Sequence, residues 1–233
     1  MRDDRPVLIF DLDGTVLSVN SFPHWASFLL RRRLPHLSLG HSARIRLAVG
    51  AALVRRKLGR IGHEELKWRL QHLWQAAVAG DDGRAERALQ DQLLRYVRPS
   101  LRQALSAVAD GHADAVLATA AAADYADGLG RRLGFRHVLS TATHRDHPAA
   151  SNVGDGKRDA VLAFLAREGW ADRPRILFTD HRDDLPLIRV CSETRWFGPA
   201  LRLTEVQVQL PNARISIGPA AGVLPLQLRQ VPC

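Results

Sequence analysis

Apolar residues recur along this chain with two different spacings. From residue 22 to about residue 102 they fall at every third or fourth position, in segments such as ARIRLAVGAALVRRKL and HEELKWRLQHLWQAAVAG separated by Gly or Pro. That spacing lines one face of a helix and is typical of amphipathic helices. Short apolar runs flank this block, namely VLIF at 7–10, AVLAT at 115–119 and RILFTD at 175–180, and they predict buried strands.

Predicted strands and helices alternate after Pro99. FRHVLSTAT at 135–143 predicts another strand, GKRDAVLAFLAREG at 156–169 a helix, and DLPLIRVC at 184–191 a helical turn. Alternation of this kind indicates right-handed crossovers and a parallel sheet, which the strand at 7–10 is expected to join. We therefore predict an α/β protein with a Rossmann-like parallel sheet core formed by residues 1–20 and 100–198. A helical cap domain, residues 21–99, is inserted after strand one.

The C-terminal segment, residues 199–233, has a different pattern. EVQVQL at 205–210 and ARISIG at 213–218 alternate between polar and apolar residues, which predicts a small β-hairpin. The stretch from residue 218 to the end, GPAAGVLPLQLRQVPC, is expected to be irregular. We assign no role to this extension.

Reactive side chains cluster at the predicted strand ends, where ligands bind in an open parallel sheet. The residues in question are Asp11 and Asp13 after the first strand, Thr119, Asp180 and Asp184, together with Lys157 at the start of a helix. Asp11 and Asp13 are two positions apart on an extended segment, so both can approach one site, and their repulsion favours a divalent cation between them. Each residue also has a structural interpretation: an Asp can cap a turn, Thr119 can satisfy its own hydroxyl, and Lys157 can be solvated. Acids, a hydroxyl and a lysine on one edge are what phosphoryl chemistry requires.

The positive charge is distributed unevenly. The chain has 233 residues, 46% of them hydrophobic, and a formal net charge of +9, yet residues 14–63 contain no Asp or Glu. That stretch holds nine cations: Arg31, Arg32, Arg33, Arg44, Arg46, Arg55, Arg56, Lys57 and Arg60. Such asymmetry indicates an anionic partner, although solvated helix faces explain it equally well.

Cysteines and hydropathy narrow the expected environment. Cys191 and Cys233 have neither a disulfide framework nor zinc-ligand spacing. The N-terminus runs directly into the first strand, and the apolar run LAVGAALV is much shorter than a membrane span. We expect a cytoplasmic protein.

Four short motifs, taken in order, resemble those of the haloacid dehalogenase (HAD) superfamily of phosphatases. They are DLDGT at 11–15, Thr119, Lys157, and TDHRDDLPLI at 179–188, and the likeness spans residues 7–198. It is greatest to the phosphoserine phosphatase branch, including relatives that act on phosphatidylglycerophosphate. The resemblance implies that Asp11 is the nucleophile, Asp13 the acid and base, and Thr119 and Lys157 the phosphate-binding residues. It also implies Mg²⁺, with Asp11, Asp13, Asp180 and Asp184 as the metal-site residues.

Two functions remain open at this stage. The first is a Mg²⁺-dependent phosphatase that hydrolyses a small phosphate monoester, including a phospholipid-type one, through an aspartyl-phosphate, with cap arginines around the entrance steering anionic substrates. The second is a binding protein on the same scaffold that docks on an anionic membrane or nucleic acid through its basic cap. In the enzyme, the cap is also expected to rest on an anionic bilayer through arginines beside Trp25, Phe28 and Leu29, and so to accept a phospholipid-type phosphate. A binding protein has no need of Asp13 beside Asp11, so we favour the enzyme and expect no nucleic acid partner.

Overall fold

A computed structural model describes residues 5–32, 34 and 36–218. Six strands lie within these residues: β1 Val7–Phe10, β2 Ala115–Ala122, β3 His137–Thr141, β4 Arg175–Thr179, β5 Glu193–Trp196 and β6 Ile215–Ile217. They form one parallel sheet in the order β3-β2-β1-β4-β5-β6. The predicted α/β fold with a Rossmann-like parallel sheet is therefore confirmed.

Strand β1 lies at the centre of this sheet. It pairs with β2 on one side, where Phe10 is opposite Leu117, and with β4 on the other, where Phe10 is opposite Phe178. Leu8 and Phe10 belong to one hydrophobic cluster, whereas Val7 and Ile9 belong to a second. Successive side chains of a strand point to opposite faces, so the all-apolar run VLIF supplies both layers of the core.

Helices follow β1 as the spacing of apolar residues predicts. They are α1 Ser21–Arg31, α2 Leu39–Lys57, α3 His63–Val78 and α4 Arg84–Leu94, and a 3₁₀ turn at Pro99–Leu101 leads into α5 Arg102–Ala109. Trp25, Leu70 and Leu89 of this block are buried in the same cluster as Leu8 and Phe10. The insertion after strand one is confirmed, while its exact domain limits, 21–99, stay a prediction.

The alternation of strands and helices after β2 is also confirmed. Helix α6 spans Ala123–Arg132, α7 spans Gly154–Arg167, and a 3₁₀ turn at Arg182–Asp184 precedes the short helix α8, Leu185–Ile188. Strand β5, whose sequence is ETRW, was not predicted because charged residues occupy half of it. None of the helices in the described residues is both long enough and apolar enough to cross a bilayer.

The hairpin predicted beyond residue 199 is wrong. Residues 200–209 form helix α9, Ala200–Gln209, and β6 then pairs in parallel with β5. Leu203 and Val206 are three positions apart and are buried on one face of α9, so a helical spacing was present alongside the alternation of EVQVQL. Of the stretch predicted to be irregular, residues 219–233 lie outside the described residues.

Candidate active site

All the residues singled out at the strand ends line one cavity. Asp11, Asp13, Thr119, Lys157, Asp180 and Asp184 surround a space of about 420 Å³ at the carboxyl edge of the sheet. They come from the segments after β1 and β4, from β2 and from the first turn of α7. The sheet order therefore brings together residues that are up to 173 positions apart in the sequence, since β1 lies between β2 and β4.

The segment after β1 holds its position through the neighbouring strand and a tight turn. The Asp11 N–H donates to the Phe178 carbonyl of β4 at 2.9 Å, so strand pairing continues up to the first acid. Gly14 has φ of +76°, and a Cβ at this position would overlap the Asp180 carboxylate. The glycine of the DLDGT motif is thus required both by its backbone conformation and by the close approach of Asp180.

Asp13 is held at the start of helix α1. Its Oδ1 accepts a hydrogen bond from the Ser21 N–H at 2.8 Å. Burial raises the pKa of Asp13, and the hydrogen bonds from Ser21 only partly oppose this effect. A carboxylate at a helix N-terminus also benefits from the free backbone N–H groups there. Asp13 consequently has a defined orientation at the edge of the cavity that it lines.

Thr119 lies at an irregularity in the sheet. Pairing between β2 and β3 shifts register between Ala118 and Ala122, so Thr119 sits where the strand bulges. Bulges next to active sites redirect a side chain. The Thr119 Oγ1 accepts from the Ala121 N–H at 3.1 Å, which leaves its own O–H to donate into the cavity. The Asn152 side chain supports this bulged part of β2 by donating to the Thr119 carbonyl at 3.2 Å.

Lys157 lies between two carboxylates. Its Nζ is 2.7 Å from Asp11 Oδ1 and 2.9 Å from Asp184 Oδ1, and the side chain is about 3% exposed. Burial alone lowers the pKa of Lys157, but the charges of Asp11 and Asp184 outweigh burial and the net direction is upward. The ammonium group is therefore a permanent charge within the site.

The two acids after β4 have different surroundings. Asp184 is buried, and its Oδ2 accepts from both Lys157 Nζ at 3.0 Å and Thr179 Oγ1 at 2.6 Å. Asp180 accepts a single longer bond, 3.3 Å from Thr15 Oγ1. Asp184 thus has the contacts of a partner for Lys157, whereas the Asp180 carboxylate packs against Gly14 and lines the cavity. That Asp184 belongs to a metal site stays a prediction.

The acids outnumber the lysine, and this charge excess bears on the expected Mg²⁺. Burial raises the pKa of Asp11 to about 8, against the opposing effect of Lys157, and burial also raises the pKa values of Asp13 and Asp180. No three acid, thiol or imidazole side chains in the described part of the chain are close enough together to hold an ion. The ligand set proposed for Mg²⁺ includes only two acidic side chains, Asp11 and Asp180, and its third ligand is the backbone carbonyl of Asp13. All three ligands are oxygens, which a hard divalent cation prefers. The residues fit Mg²⁺ in donor type and in charge.

Sequence reasoning missed two cations near the site. Arg202, on α9, lines the cavity although it lies outside the resemblance, and no motif marked it. Lys67, on α3, is buried and donates to the Ala120 carbonyl at 2.7 Å and to Ser151 Oγ at 2.7 Å. It was one of many basic residues in the helical block. Lys67 follows Leu66 directly and precedes Leu70 by three residues, so it falls on the apolar face of α3. That spacing was the only sign in the sequence that Lys67 is buried.

Fold and site together are those of an α/β protein whose acidic side chains meet at the carboxyl edge of a parallel sheet. The sequence matches the haloacid dehalogenase-like hydrolase family over residues 8–189, and the chain belongs to that family. It matches none of the curated proteins with which it was compared.

Solved structures share this fold at low sequence identity. A protein of unknown function from Bordetella pertussis Tohama I superposes with a TM-score of 0.70 and 21% identity, over 91% of this chain and 97% of that one. A substrate-bound phosphoserine phosphatase gives a TM-score of 0.55 at 9% identity, over 94% and 96%. Cytosolic 5'-nucleotidase IIIB bound to cytidine gives 0.56 at 10% identity, over 93% and 82%.

Proposed function

We propose that the protein is a Mg²⁺-dependent phosphatase that hydrolyses a small phosphate monoester through an aspartyl-phosphate on Asp11. The observation that supports this most directly is the pairing of Asp11 Oδ1 with Lys157 Nζ at 2.7 Å beside Thr119 and Asp13 in one cavity. The solved structures that share the fold include enzymes whose names refer to phosphoserine and nucleotides. A phosphate ester is the substrate class common to both.

The proposed first step is attack by Asp11 on phosphorus. Lys157 engages Oδ1, so the Oδ2 lone pair forms the new P–O bond while the ester P–O bond breaks. The electron pair of that bond leaves with the alcohol oxygen, which takes a proton from Asp13. Lys157 and the Thr119 hydroxyl donate to the phosphoryl oxygens and stabilise the charge that develops there.

The proposed second step releases phosphate. Asp13, now deprotonated, takes a proton from a water molecule whose oxygen attacks the phosphorus of the aspartyl-phosphate. The P–O bond to Asp11 breaks, and Asp11 regains its carboxylate. Mg²⁺, held by Asp11, Asp180 and the Asp13 carbonyl, would offset the negative charge of the phosphoryl group.

We further propose that Arg202 contacts an anionic group of the substrate other than the phosphate being transferred. Arg202 lines the cavity and has no ion-pair partner among the described residues. Helix α9 is attached to the loop that holds Asp180 and Asp184, since Arg182 lies 3.7 Å from Glu205. The expected steering by cap arginines has no such support, because no residue between 31 and 60 lines this cavity in the part of the chain that the structure describes. The favoured substrate is therefore a phosphate ester with a second negative group.

The experiment that tests the phosphatase proposal measures hydrolysis of an aryl phosphate with Mg²⁺ and with excess chelator. We expect turnover with Mg²⁺ only, and loss of turnover in Asp11→Asn with the fold retained. Acid-quenched reactions with ³²P-labelled substrate are expected to trap labelled protein in the unmodified chain but not in Asp11→Asn. Asp159→Asn, on the exposed side of α7, is the matched control. Substantial turnover by Asp11→Asn contradicts the covalent mechanism, and turnover unaffected by chelator contradicts the metal requirement.

A further inference from the structure

Helix α2 presents an apolar stripe to solvent. Leu47, Val54 and the residue that follows the helix, Leu58, are 74%, 56% and 62% exposed. Ala43, one turn before Leu47, and Ala51, between Leu47 and Val54, are exposed as well. Leu47, Ala51, Val54 and Leu58 follow one another at spacings of three or four residues, and a contiguous apolar patch, unlike single exposed apolar side chains, is typical of an interaction surface. We call these five residues, Ala43, Leu47, Ala51, Val54 and Leu58, the α2 stripe.

The opposite face of α2 is already occupied. Ile45, Val49 and Ala52 are buried, and the helix packs against α1 and α3. The α2 stripe is therefore not the face that attaches this helix to the protein. An ordinary amphipathic helix turns polar residues outward, so a second apolar face requires a separate explanation.

Cations border the α2 stripe on both sides. With 3.6 residues per turn, Leu47, Val54 and Leu58 fall within about 40° of one another around the helix axis. Arg44 and Arg55 lie roughly 60–80° to one side, and Lys57 lies about 80° to the other. All three cations are exposed, and none has an acidic partner within the described residues. The surface thus combines an apolar centre with unpaired positive margins.

We propose that the α2 stripe docks on an anionic lipid bilayer, with α2 lying in the plane of the interface. A helix of this composition places its apolar residues at the boundary between headgroups and acyl chains while Lys and Arg contact anionic headgroups. The bilayer supplies both components that the surface lacks, apolar contact and negative charge. This inference concerns a face that does not line the active-site cavity, so it does not depend on the proposed phosphatase activity.

Other partners match the surface less well. In a twofold dimer the stripe would pack on its own copy, and the bordering cations would face cations, because residues 14–63 contain no acid. Nucleic acid would pair with the arginines, since its binding is dominated by phosphate contacts, but it offers nothing to Leu47 and Val54. The lipid surface accounts for both sets of residues.

The residues first expected at the bilayer are different ones. Trp25, Phe28 and Leu29 are buried, with Trp25 packed against Trp74 and Tyr125. They cannot contact lipid while α1 remains folded. We assign the apolar contact with lipid to α2 instead. In the sequence its leucines fit the spacing of an ordinary amphipathic helix, so nothing marked a second apolar face.

The experiment measures co-sedimentation of the full chain with vesicles of phosphatidylcholine alone or mixed with phosphatidylserine. We expect binding only to the mixed vesicles at low ionic strength, weakening as salt rises because attraction at the surface is screened over about 8–10 Å at physiological salt. Leu47→Gln with Val54→Gln is expected to weaken binding about tenfold or more. Arg44→Gln with Arg55→Gln is expected to weaken it and to reduce its salt dependence.

The chain offers a matched control on another helix. Leu201 and Val208 of α9 have the same seven-residue spacing as Leu47 and Val54 and are 75% and 76% exposed. Leu201→Gln with Val208→Gln is expected to leave vesicle binding unchanged. Circular dichroism melting of each variant checks that the fold is retained, which is expected because all four side chains are at the surface.

Four results overturn the proposal. The first is absence of binding to the mixed vesicles, and the second is an equal loss of binding in the α2 and α9 variants. The third is a dimer in analytical ultracentrifugation that dissociates in the α2 stripe variant. The fourth is binding of an oligonucleotide that competes with the vesicles and is unchanged by substitution of Leu47 and Val54. The third result assigns the stripe to a second copy of the chain, and the fourth assigns the basic margin to nucleic acid.

Discussion

Two regions of this molecule bury a lysine to the same extent and use it differently. Lys157 lies in the active-site cavity. Lys67 lies on α3, where it contacts Ala120 of β2 and Ser151. Each side chain is about 3% exposed. Lys157 contacts the carboxylates of Asp11 and Asp184, whereas Lys67 contacts only a carbonyl and hydroxyl oxygens. Burial disfavours both ammonium groups, and the formal charge of the partners decides whether the pKa is lowered or raised.

The pKa values of the two lysines move in opposite directions. Burial lowers the pKa of Lys67 from 10.5 to about 8, because neutral oxygens and the more distant charges of Glu64 and Asp13 do not offset it. The pKa of Lys157 is raised, because two carboxylates more than offset burial. Lys157 is suited to binding a phosphoryl group, and Lys67 to joining α3 to strand β2 and to the segment around Ser151.

The largest expected difference between the two regions is in catalysis. Lys157→Met is expected to lower kcat/KM for an aryl phosphate by about 10³-fold, since it removes a charged donor to the phosphoryl group. Lys67→Met removes only a positioning contact behind Ala120, so its loss is expected to stay within about tenfold. Steady-state kinetics with both variants checks this, and equal losses would contradict the distinction between the two lysines.

A second comparison concerns stability in the absence of metal. Lys157→Met leaves Asp11 and Asp184 buried without their counter-charge, which is expected to cost about 3–5 kcal/mol in the free energy of unfolding. Replacing Asp184 as well, in Lys157→Met with Asp184→Asn, is expected to recover part of that loss. Urea unfolding in chelator measures both variants. A double variant no more stable than the single one would show that charge is not the source of the loss.

A third comparison uses the pH dependence of stability. The folded pKa of Lys67 is depressed, so between pH 8 and 10.5 the unfolded chain holds this proton more tightly than the folded one. The free energy of unfolding should therefore rise with pH across that window, by at most about 3 kcal/mol from this group. Lys67→Met should lack this component, as shown by the difference between the two pH profiles. Superimposable profiles would refute the lowered pKa.

The smallest expected effect belongs to Arg202, an exposed cation in the same cavity. Arg202→Gln is expected to reduce kcat/KM about tenfold for an ester with a second anionic group, such as phosphoserine or a carboxylated aryl phosphate. The loss of kcat/KM should be slight for an aryl phosphate that carries no charge besides its phosphate. Arg189→Gln, an exposed arginine that does not line the cavity, is the control. Equal losses with both esters exclude Arg202 from selecting substrate, whereas absence of any hydrolysis would count against the phosphatase proposal itself.

Local patterns predicted the parts of the fold and site that depend on nearby residues. VLIF followed by DLDGT gave the strand and its turn, and the carboxyl-end rule for parallel sheets placed Asp11, Asp180 and Thr119 together. Lys157 could be assigned through its motif, but its contact with Asp184 depends on how α7 packs against the turn at Arg182–Asp184. No sequence spacing encodes that distance.

The predictions that the structure overturned depend on tertiary packing. Helix α9 was mistaken for strand because six residues satisfy a period of two as easily as Leu203 and Val206 satisfy a helical one. The expectation that cap arginines surround the entrance stays a prediction, because charge can be read from sequence while the direction of a helix face cannot. Trp25 was expected at the surface, yet it packs against α3 and α6.

The central position of β1 also has a consequence during synthesis. Strand β1 is synthesised roughly 170 residues before its partner β4, so one edge of β1 has no native partner in the meantime. At about 5–20 residues per second, that interval lasts on the order of ten to thirty seconds. An unpaired edge with the sequence VLIF is a template for pairing with other chains. Until β4 has emerged, this edge of the nascent polypeptide is open to such pairing.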